Sequence, residues 1–296
     1  MKVSGKTKVC GLIGDPVEHS LSPCFQNAAF KHCGLDFVYV VFKVKKEELK
    51  EAVSGVRSLG IYGLNVTMPY KIGVVQYIDD LDETAKSIGS VNTILNKNGR
   101  LVGYTTDGKG ALEALKHNGI NPSGNKIVIL GAGGASRSVS LTLVKEAKEL
   151  VILNRTLAKA EELARELKTS QDTNAIVKVK ELNNRNSKQE LLDANILINA
   201  TSLGMRPHDA LIPVNPSLLR SDLAVFDLVY EPLETRLLVE AKKKGATTVD
   251  GLTMLVFQGA ISFEIWTGEK APIEVMMKAA TDELASRAGK DSKWRV

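Results

Sequence analysis

The chain has 296 residues, 44% of them apolar and 25% charged, with a formal net charge of +5 at neutral pH. That length exceeds one ordinary hydrophobic core and points to two folded domains, not to a disordered or fibrous chain. The only basic run is Lys242 to Lys244, with no basic stripe of interleaved aromatics, which argues against nucleic acid, and no apolar run approaches a membrane span.

The N-terminal MKVSGKTKV has neither an apolar signal region nor a small-residue cleavage site, so a cytoplasmic location is expected. Further on, KVCGLIG, FVYVVFKV and YGLNVT read as strands, with helical patterns between them. In EELKEAVSGVRSL, Leu49, Ala52, Val53, Val56 and Leu59 recur on one helical face. This is a βαβ rhythm, hence an α/β domain with a mostly parallel sheet. VNTILN and RLVGY flank Lys97-Asn98-Gly99, a hairpin turn signal. Within the same domain HSLSP reads as a turn before a helix, with Ser22 as N-cap and Pro23 at the first helical position. GLNVTMPYK reads as a buried strand stopped at Pro69, and on its own Lys71 reads as one more solvated cation. GYTTDGKG places Asp107 as an Asx turn before a helix that ends at Gly119.

Cys10, Cys24 and Cys33 are odd in number and lack CxxC spacing, so no disulfide framework is expected. His19, His32, His117 and His208 lack i, i+4 pairing, and no metal is expected.

A second series opens at KIVIL and continues through LVILN, AIVKV, ILINA and AVFDL, five strands at the spacing of a doubly wound nucleotide-binding domain. KIVIL runs directly into GAGGASRSV and an apolar helix. That order of strand, glycine turn and helix separates a dinucleotide fingerprint from a chance match, although a ligand-free glycine turn stays open. Gly131 suits the tight turn, and Gly133 and Gly134 let backbone amides approach a pyrophosphate, with Ala132 and Ala135 completing the loop and Ser136 at the third glycine position. LVILN ends at Asn154, Arg155 and Thr156, where an NAD-binding domain places a carboxylate for the ribose 2′-hydroxyl. A guanidinium there pairs with a 2′-phosphate instead, so NADP is favoured, against the plain reading of Arg155 as a helix-start residue.

Seven stretches in order give the chain a family resemblance: GDPVEHSLSP, GLNVTMPYK, GSVNT, GYTTDGKG, GAGGASR with NRT, NATSLGM, and GLTMLVFQGAISFEIWTG. Together they cover nearly the whole chain, and it resembles the shikimate dehydrogenase family. The resemblance implies residues 1–106 as a substrate-binding domain, 107–251 as a Rossmann-like NADP-binding domain, and 252–296 as helices returning to the first domain. It implies reversible reduction of 3-dehydroshikimate to shikimate by NADPH in aromatic amino-acid biosynthesis, hence a small anionic substrate, with a homodimer left open. Lys71 and Asp107 match the catalytic pair, with Lys71 either the proton-transfer group or an electrostatic anchor. Ser20 and Ser22 match the hydroxyls that hold the substrate carboxylate, and Tyr230 matches a tyrosine near it. Thr67, Asn92 and Gln258 match positions on the ring hydroxyls. Thr201, Ser202 and Met205 match the loop lining the nicotinamide side of the cofactor site, and Gly251, with Met254, helps close its opposite wall. One departure is Thr105, where the family usually has Asn before Thr-Asp. The resemblance leaves open a quinate or dual-substrate dehydrogenase, and a ligand sensor that has lost turnover. Glutamyl-tRNA reductases share the glycine loop and NRT, but the catalytic cysteine and tRNA-binding region expected of them are not seen.

Overall fold

A computed structural model describes residues 3–169 and 173–292. The chain divides into two compact units, Met1–Thr106 with Gln258–Val296, and Asp107–Phe257.

The first unit opens β1 (Lys8–Gly14), α1 (Ser22–His32), β2 (Phe37–Lys43), α2 (Leu49–Ser58), β3 (Gly63–Val66), β4 (Asp80–Leu81), α3 (Glu83–Ile88), β5 (Thr93–Lys97) and β6 (Arg100–Tyr104). Its sheet runs β2-β1-β3-β5-β6-β4. Three of the five pairings are parallel, and β3-β5-β6 is the antiparallel part. The hairpin between β5 and β6 turns on Asn98 and Gly99 alone, at φ 55° and 92°, the left-handed conformations that a two-residue turn demands. From α2, Leu49, Val53 and Val56 enter a core with Ile13, Leu64, Val66, Ile94 and Leu101. Each such side chain contributes roughly 1.5–3 kcal/mol on burial. Leu59 does not join that face: it is the C-cap, past the last helical turn, and is 77% exposed.

The second unit comprises α4 (Asp107–His117), β7 (Lys126–Leu130), α5 (Gly134–Leu143), β8 (Glu149–Asn154), α6 (Leu157–Thr169), β9 (Ile176–Glu181), α7 (Asn184–Leu191), β10 (Ile196–Asn199), β11 (Ala224–Asp227), α8 (Arg236–Lys243) and β12 (Thr248–Val249). All its pairings are parallel, in the order β12-β11-β10-β7-β8-β9. Read from β9, that is 3-2-1-4-5-6 in order of occurrence, the doubly wound dinucleotide-binding order with its reversal between β7 and β10. The sheet has six strands where the sequence pattern gave five, because β12 has two residues, too few for any periodicity. The four central apolar residues of β7 and of β8 are fully buried, as a sheet covered on both faces requires.

Helix α9 (Gly251–Thr267) begins in the second unit and ends in the first, so the units divide at Gln258, within a helix, and not at residue 252. From there the chain returns to the first unit. Trp266 Nε1 donates to Ile94 O (2.9 Å) and Gln26 Nε2 to Gly259 O (2.8 Å). Helix α10 (Ile273–Ser292) packs on α1, with Cys24 Sγ donating to Ala279 O. Among the described residues, no helix is long and apolar enough to cross a membrane.

Candidate active site

In the second unit the loops that follow β7, β8 and β10 lie at one edge of the sheet, where the strand order reverses. Gly131 takes φ 103°, and a Cβ there would stand 3.0 Å from Ala200 O. Its amide donates to Leu153 O (2.8 Å), while Ala200 N donates to Leu130 O (2.9 Å). The glycine loop is thereby seated between the ends of β8 and β10, the crevice where such sheets bind their ligands. Ser136 at the third glycine position is fully buried, and its hydroxyl donates to Gly131 O (2.7 Å). A hydroxyl therefore closes the turn where a glycine would only allow close packing.

Gly133 precedes α5 in extended conformation, and a Cβ built on Gly133 or Gly134 meets nothing within 4 Å. Together with exposed Ala135 and half-buried Ala132, they line open space at the N-terminus of a ten-residue helix, where free amides and the helix dipole favour an anion. At the end of β8, Asn154 Nδ2 donates to Thr156 O (2.8 Å), and Arg155 and Thr156 are exposed. The strand delivers no carboxylate there. This set of donors fits a pyrophosphate on the glycine loop and a 2′-phosphate at Arg155.

The loop after β10 is held by a buried polar knot. Asn199, fully buried, donates from Nδ2 to Leu203 O (3.0 Å) and to Asp227 Oδ1 (2.9 Å). Its Oδ1 accepts from the amide (3.1 Å) and hydroxyl (2.7 Å) of Thr201, and Thr201 Oγ1 accepts from Leu203 N (3.2 Å). The hydroxyl of Thr201 is therefore engaged inside the loop, whereas Ser202 and Met205 are exposed. Asp227 also accepts from Val229 N (3.1 Å) and from Thr235 Oγ1 (2.7 Å). Burial pushes its carboxyl up to about 6, and the hydrogen bonds from Thr235, Val229 and Asn199 only partly offset that. Half-buried Tyr230 lies on the segment that Asp227 anchors. Gly251 is buried against the same segment: a Cβ there would stand 2.5 Å from Leu228 O. Its missing side chain thus answers to backbone packing and not to open space.

In the first unit the loops after β1 and β3 run together. Thr67 N donates to Ile13 O (2.9 Å) and Asp15 N to Met68 O (3.1 Å). Ser20 is half-buried, and its Oγ accepts from Ser22 N (3.2 Å). Ser22 is not the N-cap: Leu21 holds that position without a side-chain bond, and Ser22 opens the helix. Ser20 has taken over the capping of the Ser22 amide. From α10, Arg287 Nη1 donates to His19 O (2.7 Å) while its Nε holds Glu283 (2.8 Å), which fastens the serine loop. Sequence spacing gave no signal for Arg287.

The structure brings Asn92 and Gln258 together with Thr106. Asn92 Nδ2 donates to Thr106 Oγ1 (2.9 Å) and Gln258 Oε1 (3.2 Å), while its Oδ1 accepts from Thr106 N (2.8 Å) and Thr93 Oγ1 (3.1 Å). Beneath them Asn65 Nδ2 lies within hydrogen-bond distance of Asn92 O, Thr93 Oγ1 and Ser262 Oγ, and Tyr39 donates to Asn65 Oδ1. Lys71 is half-buried, and its carbonyl accepts from Val91 N (2.8 Å), which ties the lysine's backbone to the residue before Asn92. Asp107, 6% exposed, opens α4 directly after Thr106. Thr105 is buried, and its Oγ1 has no hydrogen-bond partner. Among the described residues, no three His, Cys, Asp or Glu side chains are gathered so as to hold a metal ion.

Three family models match in chain order: the shikimate dehydrogenase substrate binding domain over residues 12–94, shikimate / quinate 5-dehydrogenase over 113–205, and the shikimate 5′-dehydrogenase C-terminal domain over 251–281. The shikimate dehydrogenase (NADP+) of Methanopyrus kandleri is 50% identical over 287 residues, 96% of this chain and 98% of that protein. A crystal structure of a shikimate dehydrogenase in complex with NADP+ matches with a TM-score of 0.89 at 45% identity, covering 96% of this chain and 98% of that one. That of Listeria monocytogenes, in complex with shikimate and NAD, matches with a TM-score of 0.89 at 37% identity, covering 94% of this chain and 98% of that one.

Proposed function

The chain belongs to the shikimate dehydrogenase (NADP+) family, and on that premise we propose how its residues divide the work. It is an NADP-dependent oxidoreductase that interconverts 3-dehydroshikimate and shikimate. The observation that carries the cofactor assignment is the open space at Gly133 and Gly134 beside a β8 end that has Arg155 and no carboxylate. Gly131 to Ala135 hold the pyrophosphate, Asn154 to Thr156 the 2′-phosphate end, and Ser202 and Met205 the ring side. Thr201 serves mainly by shaping its own loop, since its hydroxyl is already bonded there. Gly251 acts through backbone packing against Leu228.

When bound, NADPH supplies the hydride. The developing alkoxide then needs a proton and a compensating charge. Lys71 faces the reacting oxygen, and its ammonium meets both needs. Asp107 is the second member of the catalytic pair, an acceptor for a substrate hydroxyl. Ser20, Ser22 and Tyr230 orient the carboxylate with neutral donors, which bind less tightly than a bidentate guanidinium and so favour release. Thr67, Asn92 and Gln258 set the ring hydroxyls. A cytoplasmic setting accords with three free cysteines.

The test is NADP+ reduction followed at 340 nm with shikimate and, separately, with quinate. Turnover with shikimate is expected, and its absence despite shikimate binding sinks the dehydrogenase reading in favour of a sensor. In the same assay Lys71→Ala is expected to lower kcat at least a hundredfold with a smaller change in KM. A loss confined to KM marks Lys71 as a binding residue only.

A further inference from the structure

The most deeply buried charge near the proposed cofactor site belongs to a residue outside the proposed site set. Asp227 is 0% exposed, at the C-terminal end of β11, and its carboxylate accepts hydrogen bonds from the Asn199 carboxamide, the Val229 amide and the Thr235 hydroxyl. A carboxylate accepts only, and with Leu203 O also accepting from Nδ2 and Thr201 N donating to Oδ1, Asn199 turns Nδ2 toward Asp227 and Oδ1 toward Thr201. That Oδ1 is the acceptor for the amide and hydroxyl of Thr201, and Thr201 Oγ1 in turn receives Leu203 N. The loop also touches the carboxylate side directly, since a Cβ at Gly204 would stand 3.9 Å from Asp227 Oδ2. Through Val229 N the same group fixes the segment that carries Tyr230 and meets Gly251.

We propose that Asp227 is the positioning residue of the cofactor's ring side, its two carboxylate oxygens holding Asn199, Val229 and Thr235 at once and thereby the shape of the 199–205 loop. Folding alone does not account for the choice. Burial holds this carboxyl well above the usual range, so an anion here detracts from stability near neutral pH. A neutral residue would be the more stable filling. What an asparagine cannot do is hold Asn199, Val229 and Thr235 at once, because an amide offers one acceptor oxygen where a carboxylate offers two.

The inference rests on the cofactor reading above. Its test is titration of NADPH by fluorescence into the full-length wild type, Asp227→Ala, Asp227→Asn and Asn199→Ala, alongside KM for NADP+ and shikimate and the thermal midpoint. Asp227→Ala is expected to weaken NADPH binding at least tenfold, with a smaller rise in KM for shikimate through the segment that carries Tyr230. Asp227→Asn, which keeps one acceptor oxygen for Asn199 and Val229 and gives up the one for Thr235, is expected to fall between Asp227→Ala and the wild type. Should Asp227→Ala fail to fold, Asn199→Ala decides, with the same tenfold loss expected. NADPH affinity within twofold of wild type in a folded Asp227→Ala or Asn199→Ala overturns the proposal, as does an equal rise in both KM values. Failure of the wild type to bind NADPH overturns the cofactor site itself, a distinguishable result.

Discussion

Asp227→Asn should make the protein more stable at neutral pH while it weakens the cofactor site, and the structure sets the size of the effect. The folded-state carboxyl lies at about 6 against an ordinary value of 3.8, through burial with no neighbouring charge involved. Its hydrogen-bond partners are Asn199, Val229 and Thr235, all neutral. A carboxyl raised on folding binds its proton more tightly in the native state, so its stabilising contribution is present below about pH 4 and is lost as pH rises through about 6. Two units correspond to about 3 kcal/mol of stability lost by about pH 7. Asparagine removes that loss but leaves the Thr235 hydroxyl proton without its acceptor, which costs about 1 kcal/mol. The variant is therefore expected to gain about 2 kcal/mol near pH 7 and to lose that advantage near pH 4.5, where the wild-type group is largely protonated. Urea unfolding of both proteins at a series of pH values reads this directly, because the difference between them cancels the other titrating groups. A stability difference that stays flat from about pH 4.5 to 7 would refute the reasoning.

Arg155→Asp is expected to raise KM for NADP+ at least tenfold and to improve the relative use of NAD+, since a carboxylate repels the 2′-phosphate and accepts from a 2′-hydroxyl. An unchanged cofactor ratio removes Arg155 from the site. The glycines separate binding from folding. Gly133→Ala adds a methyl where no atom lies within 4 Å, so stability should stay within about 0.5 kcal/mol while KM for NADP+ rises severalfold. Gly251→Ala puts a Cβ at 2.5 Å from Leu228 O and is expected to lose about 1–3 kcal/mol, read as a lowered thermal midpoint.

The parts legible in the sequence were those whose physics is local. KIVIL-GAGGAS announces itself because a buried strand, a φ-positive turn and a helix start must follow one another in the chain. The two-residue turn at Asn98-Gly99 is equally local. Ser22 before Pro23 reads as an N-cap, yet Leu21 holds that position and it is Ser20 Oγ that accepts from the Ser22 amide. β12 escaped notice because two residues carry no period. Asp227 escaped for another reason: in AVFDL it is a polar residue at a strand end, and its partners come from Asn199 and Thr235. Arg287 lies 268 positions from the carbonyl it holds. Nothing in the one-dimensional pattern relates them.

The hydrogen-bond count at Asn92 sharpens what substrate recognition must involve. Its carboxamide donates to Thr106 Oγ1 and Gln258 Oε1, and its oxygen already accepts from Thr106 N and Thr93 Oγ1. If Asn92 holds a ring hydroxyl as proposed, that hydroxyl meets it by exchange, and the most replaceable partner is the Thr106 hydroxyl, which can rotate while its backbone amide stays in place. Exchanging one neutral hydrogen bond for another changes free energy by about 1 kcal/mol or less. Asn92 thus adds little to affinity. On the proposed reading the partners of the ring hydroxyls are held in place before substrate arrives, with Asn65, Thr93 and Ser262 hydrogen-bonded beneath to keep them fixed.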